Sequence, residues 1–131
     1  MNEVTESPAS TLDPSLRLMV EVPGPNDKNF IYCATCSNII TRVDQRIEVH
    51  GHFDHGLTNP HGIGFHVGCF AQALGCDISG TPAAADSWFM GFLWNIATCT
   101  ECQIHLGWYF ATASQEAYFY GLILDRLQQE K

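Results

Sequence analysis

From Asn29 onward the apolar residues come in short runs cut by turn residues, a strand pattern more than a helical one. Phe30-Ile31-Tyr32 predicts a strand running into Cys33-Ala34-Thr35-Cys36, and Ile39-Ile40 predicts its return after the Ser37-Asn38 turn. Arg46-Ile47-Glu48-Val49-His50 alternates as a half-buried strand does. Residues 50–66 are glycine-rich and read as loop, giving way to a strand at Phe65-His66-Val67. Residues 71–85, with small residues, Gly75, Gly80 and Pro82, read as loops or one short helical turn. From Trp88 the chain reads as strand, turn at Gly91, strand over 92–97, knuckle at Cys99-Thr100-Glu101-Cys102, and return strand over 105–110. At 116–127 the final leucines allow a helix, but Tyr118-Phe119-Tyr120-Gly121-Leu122-Ile123 favours a strand. The expected fold class is mainly β.

Residues 1–28 hold Pro8, Pro14, Pro23 and Pro25 among acidic and small polar residues, which predicts a flexible or extended arm before a domain at 29–131. Within that arm, Leu16-Arg17-Leu18-Met19-Val20 is apolar enough for an edge strand. The first residues are acidic and lack the apolar centre of a secretory signal.

Charge narrows the function classes. A net charge of −8 with six Lys+Arg gives no basic footprint for nucleic acid, and the same deficit disfavours an anionic membrane surface. No apolar run is long enough to span a bilayer. The expectation is a soluble, cytoplasmic monomer.

Two motifs carry chemistry. Cys33/Cys36 and Cys99/Cys102 are Cys-x-x-Cys pairs in a chain without a secretory signal, a context that favours thiolate metal ligands over disulfides. Four thiolates complete a tetrahedral zinc shell, so one structural Zn2+ per chain is expected, clipping together two segments distant in sequence. Cys69 and Cys76 lack partners at ligand spacing and read as buried apolar residues. The histidines of 50–66 include His50-x-His52-x-x-His55, with no Cys or Glu to complete a familiar second set. The other motif is aromatic. Trp88, Trp94 and Trp108 all fall within 87–110, around Gly91 and Gly107, with Phe110 two residues beyond Trp108 and on its face. Three indoles gathered at one concavity suit a small ring or a cation.

The run Ser87-Trp88-Phe89-Met90-Gly91-Phe92-Leu93-Trp94, continuing through both cysteines to His105-Leu106-Gly107-Trp108 and Phe110, resembles the thalidomide-binding (CULT) domain of cereblon in its stand-alone bacterial form. Asn59-Pro60-His61-Gly62 and Phe119-Tyr120-Gly121-Leu122 match further signature pieces. The resemblance implies a β-tent: a pair of antiparallel sheets pinned by zinc at Cys33, Cys36, Cys99 and Cys102. It implies a tri-tryptophan cage at Trp88, Trp94 and Trp108 with Phe110 at its base, taking up a glutarimide ring. In the family, backbone at the positions of Asp86 and Trp88, with Ser87 between them, bonds the imide, and Asn59 with Pro60 closes over it. Vertebrate members carry histidine at the position of Asp86. No Lon-like region or ubiquitin-ligase adaptor segment is expected here.

The leading expectation is therefore a binder of cyclic imides, thalidomide-type, uracil-like or cyclised peptide ends, and not an enzyme. One alternative is a methionine-sulfoxide-reductase-like enzyme on the same scaffold, although residues 118–127 hold no cysteine to act as its nucleophile. Another is an aromatic cage reading methylated amines.

Overall fold

The computed structural model describes residues 29–130; the expected arm at 1–28, with its Leu16–Val20 patch, lies outside the described residues. Two antiparallel sheets make up the fold, and no α-helix occurs among the described residues. The smaller sheet has the order β2-β1-β9, from β1 (Phe30–Cys33), β2 (Ile39–Arg42) and β9 (Leu127–Gln128). The larger has the order β3-β4-β8-β7-β6-β5, from β3 (Asp54–Thr58), β4 (Gly64–Phe70), β5 (Cys76–Ala83), β6 (Leu93–Cys99), β7 (His105–Ala111) and β8 (Tyr118–Ile123).

Hydrophobic alternation decides which faces meet. One buried cluster joins the sheets through Ile31, Ile40, Phe70, Leu106 and Leu122. A second lies along the large sheet, with Val67, Cys69, Phe89, Phe110, Phe119 and Ile123. Its aromatics pack as rings do when edges carry positive charge and faces negative: Phe89 stands edge-on to Phe110 at 4.9 Å and to Phe119 at 5.1 Å.

Four expectations need correction. Residues 46–50 form no strand: a 3-10 turn at Val43–Gln45 precedes isolated bridges Arg46↔Phe70 and Val49↔His52. The alternation there is real, since Ile47 and Val49 pack on the second cluster, but Ile47 N–H meets Cys69 O without a continuing ladder. Residues 71–85 do contain a strand, β5, despite Gly80 and Pro82. As the sheet's edge it tolerates both, with its register shifting between Ser79 and Ala83 and Gly80 at φ +82°. The glycine-rich 50–66 segment likewise contains β3, paired to β4 from Asp54↔Gly68 to Thr58↔Gly64. Trp88 sits in a loop and not a strand, because Asp86 (φ +59°) and Gly91 (φ +87°) break extension on either side. The ambiguous C-terminal segment resolves as strand β8.

At Gly75 the turn before β5 presses closely on β2. A Cβ there would overlap Ile39 O and lie 2.6 Å from Ile40 Cα, while its N–H bonds Ile40 O at 3.0 Å. Gly75→Ala is therefore expected to lower unfolding free energy by about 2 kcal/mol in urea denaturation. Gly64→Ala, whose nearest neighbour would be Leu57 O at 4.0 Å, should change it by less than about 0.5 kcal/mol.

Candidate functional site

The two Cys-x-x-Cys turns are built alike. In the first, Cys33 N–H bonds Asn38 O at 2.8 Å and Ser37 takes φ +67°; in the second, Cys99 N–H bonds Ile104 O at 2.9 Å and Gln103 takes φ +69°. Each turn folds two thiols toward the same side, and the sheets bring the turns face to face. All four sulfurs lie within 4.8 Å of one another, with Cys33 Sγ 3.7 Å from Cys102 Sγ and Cys36 Sγ 3.6 Å from Cys99 Sγ. A tetrahedron with metal–sulfur bonds of about 2.3 Å has edges of about 3.8 Å, so the set can hold one metal ion.

The charges agree with that geometry. Burial acts to raise the Cys99 thiol, but backbone N–H groups of Cys102 and Glu101, together with Cys36 and Asn38 Nδ2, bring it down to about 7. At Cys36 the Asn38 backbone N–H is outweighed by desolvation and the three other cysteines, which push it up to about 12. Cys99 thus ionises readily while Cys36 and Cys102 resist it, as thiols crowded into one donor set do.

The aromatic site lies along the same hairpin. On one face of β6 and β7, Trp94 is paired with Phe110 and Ile96 with Trp108, so four apolar side chains form a square floor. Trp88 arrives from the 84–92 loop and stands perpendicular to Trp108, centroids 4.7 Å apart, while Phe65 of β4 meets Trp108 at 5.3 Å. The resulting cavity has a volume of about 420 Å3, within the range of small-molecule sites.

Of the expected binding residues, Asn59, Pro60, Asp86, Trp88, Trp94, Trp108 and Phe110 line this cavity, and Ser87 does not. Ser87 Oγ instead donates to Phe89 O (3.1 Å) and accepts from Phe89 N–H (3.3 Å), stiffening the loop. Asn59 Oδ1 accepts from the N–H groups of His61 and Ile63, both at 2.9 Å, so its side chain shapes the β3–β4 hairpin tip. Two indoles are tied to backbone: Trp88 Nε1–H donates to Thr58 O (2.9 Å) and Trp94 Nε1–H to Ala85 O (2.8 Å).

Sequence reading missed His61, Phe65, Ile96 and His105 in the lining. Ile96 follows from alternation with Trp94. His105 does not, because strict alternation from Trp108 sends it to the other face. A bulge changes this: Ala97 pairs with Gly107 and Thr98 with His105, leaving Leu106 over. His105 Nε2–H then donates to Gly107 O at 2.9 Å, and its ring meets Trp108 edge-on at 4.9 Å.

Burial pushes the Cys69 and Cys76 thiols up to about 12, so both hold their protons at neutral pH. The His50, His52 and His55 run does not converge on one point either; His50 and His55 lie against Phe89. A second hollow of about 430 Å3 beside β2, lined by Phe30, Ile39, Ile40 and Leu74 among others, is similar in size. It has neither stacked rings nor a histidine, and the aromatic cavity is the better candidate.

No family model matches the chain. It is 36% identical to "Protein cereblon" of Xenopus tropicalis over 73 residues, covering 53% of this chain and 16% of that protein. The Danio rerio protein of the same name is 34% identical over 72 residues, 53% of this chain and 17% of the relative. In Drosophila persimilis the figures are 26% over 119 residues, 85% and 19%. The chain thus spans less than a fifth of the curated relatives it matches. Two antiparallel sheets meeting at a four-cysteine centre define a β-tent domain. Together with these relatives they support a cereblon-like CULT domain.

Among the described residues, no helix is long and apolar enough to cross a membrane. One electrostatic consequence is measurable. Burial lowers the pKa of His105 from 6.5, Gly107 O opposes the shift, and the Arg126 charge adds to it. The folded state thus prefers the neutral ring, so its contribution is complete above 6.5 and is lost as pH falls through the lower folded value. NMR titration should find the His105 ring ionising below pH 6.5, and His105→Gln should flatten the stability profile in that window.

Proposed function

We propose that this domain is a small-molecule receptor for cyclic imides, held in shape by one structural zinc ion. The observation that carries the reading is the aromatic box of Trp88, Trp94, Trp108 and Phe110, at the positions where the cereblon resemblance calls for a glutarimide cage. An imide presents one N–H and two carbonyls on a saturated ring. The ring faces fit against indoles, and the Asp86 carbonyl and Trp88 N–H, on a loop bent by the positive φ of Asp86, supply backbone partners for the imide edge. Pro60 and the Asn59 turn overhang from the hairpin and serve as the lid. Binding, with no covalent step, is the assigned activity.

Thalidomide titrated into the protein is expected to quench tryptophan fluorescence to saturation, and Trp94→Ala should weaken binding by about thirtyfold or more. A linear, unsaturable response from the parent protein would remove the reading.

The donor set supports a structural zinc, since four thiolates would leave no open position for a catalytic water. Elemental analysis should find one zinc per chain, lost in Cys99→Ser. Chelation should lower the melting temperature by 10 °C or more on the order of magnitude expected when a structural metal is withdrawn. Retention should also weaken as pH falls, because protons compete for the same sulfurs.

A further inference from the structure

We propose that His50 and His55 are positioning residues for the Trp88 wall, acting through Phe89; the proposal rests on the reading of the aromatic cavity as the ligand site. The loop at 84–92 belongs to neither sheet. Its backbone is tied by Ser87 N–H to Ala84 O and Phe92 N–H to Phe89 O, and the Phe89 side chain roots it in the core. Phe89 is 2% exposed, whereas Met90 beside it is 93% exposed. Since Trp88 is one residue from that anchor, about 3.8 Å along the chain, the seat of Phe89 sets where the indole stands.

The seat has two sides. Phe110 and Phe119 of β7 and β8 form the inner one. The outer one is made of imidazoles: His55 of β3 meets the Phe89 ring at 5.4 Å and 83°, and His50 meets it at 5.8 Å and 50°. Both histidines are held for this. His55 Nε2–H donates to His52 O at 3.2 Å. His50 takes φ +55° and Gly51 φ +84° in a two-residue turn closed by Val49 N–H to His52 O (2.9 Å) and the reverse bond (3.3 Å). An imidazole suits the position because one ring edge can cover a buried phenyl while the other stays in water. His50 and His55 thereby link the β3 end of the hairpin to the Trp88 loop, the two parts of the cavity that come from outside β6 and β7.

The test uses protein labelled with 5-fluorotryptophan, its three resonances assigned by single Trp→Phe variants. In ligand-free His50→Ala/His55→Ala, the Trp88 resonance is expected to shift and broaden while Trp94 holds, and thalidomide should bind about tenfold more weakly with metal content unchanged. His50→Phe/His55→Phe, which keeps both rings, should restore both to within about twofold. If the double alanine variant fails to fold, His55→Ala alone should show the same changes at smaller size. An unmoved Trp88 resonance, or failure of the phenylalanine pair to restore it, overturns the clasp. A parent protein that binds no imide overturns the pocket reading instead, and the ligand-free resonance still decides the clasp.

Discussion

Four sulfurs within 4.8 Å of one another are a charge problem before they are a bonding problem. Two thiolates about 4 Å apart repel by about 1 kcal/mol in water and by several in a drier setting. The first proton leaves Cys99 near neutrality, and the next departures are opposed, as the Cys36 value of about 12 records. A divalent cation among the sulfurs would outweigh those repulsions with its attraction to each thiolate. The small sheet has short strands: β1 and β2 are four residues each and β9 only two. It seats on the large sheet through the shared buried cluster, Ile31 and Ile40 among its members, and through the four cysteines that face one another.

The β6–β7 hairpin couples the centre to the cavity. Its turn carries Cys99 and Cys102, and its strands carry Trp94, Trp108 and Phe110. From Cys99 to Trp94 is five residues, about 17 Å of extended strand. Whatever pins the turn therefore pins the box floor through a rigid ladder. A metal held by the four thiolates would therefore bear on the cavity even without an open position. It would supply no chemistry, yet would set where the floor is.

How much of this was legible in the sequence depended on whether the partner of each residue was local. The two knuckles were legible because ligand spacing is a local rule, and Trp94, Trp108 and Phe110 because alternation is one too. What escaped depended on pairing. Residues 46–50 carry a strand's alternation but find only isolated bridges, while β5 carries Gly80 and Pro82 and is a strand because β6 offers it an edge. His105 reaches the cavity through a bulge that no period-two pattern contains. Asn59 and Ser87 were expected at the ligand; Asn59 lines the cavity and Ser87 does not, and the side chain of each bonds its own loop. Small polar residues at turns have that local option, and here it prevailed.

The same preference says what kind of site this is. Trp88 Nε1, Trp94 Nε1, His105 Nε2, Asn59 Oδ1 and Ser87 Oγ are each bonded to backbone. Each of these groups already has its hydrogen-bond partner, and burial keeps the Cys69 thiol protonated at neutral pH. What remains to meet a ligand is chiefly ring face, loop backbone and the carboxylate of Asp86. A surface of that kind discriminates by shape and by the direction of a few hydrogen bonds, and it does so with its entropy already lost in folding. Fixed walls favour rigid ligands over flexible ones, because only a rigid ring also arrives with its ordering cost behind it. A small cyclic imide, planar at its polar edge and saturated elsewhere, is such a ligand.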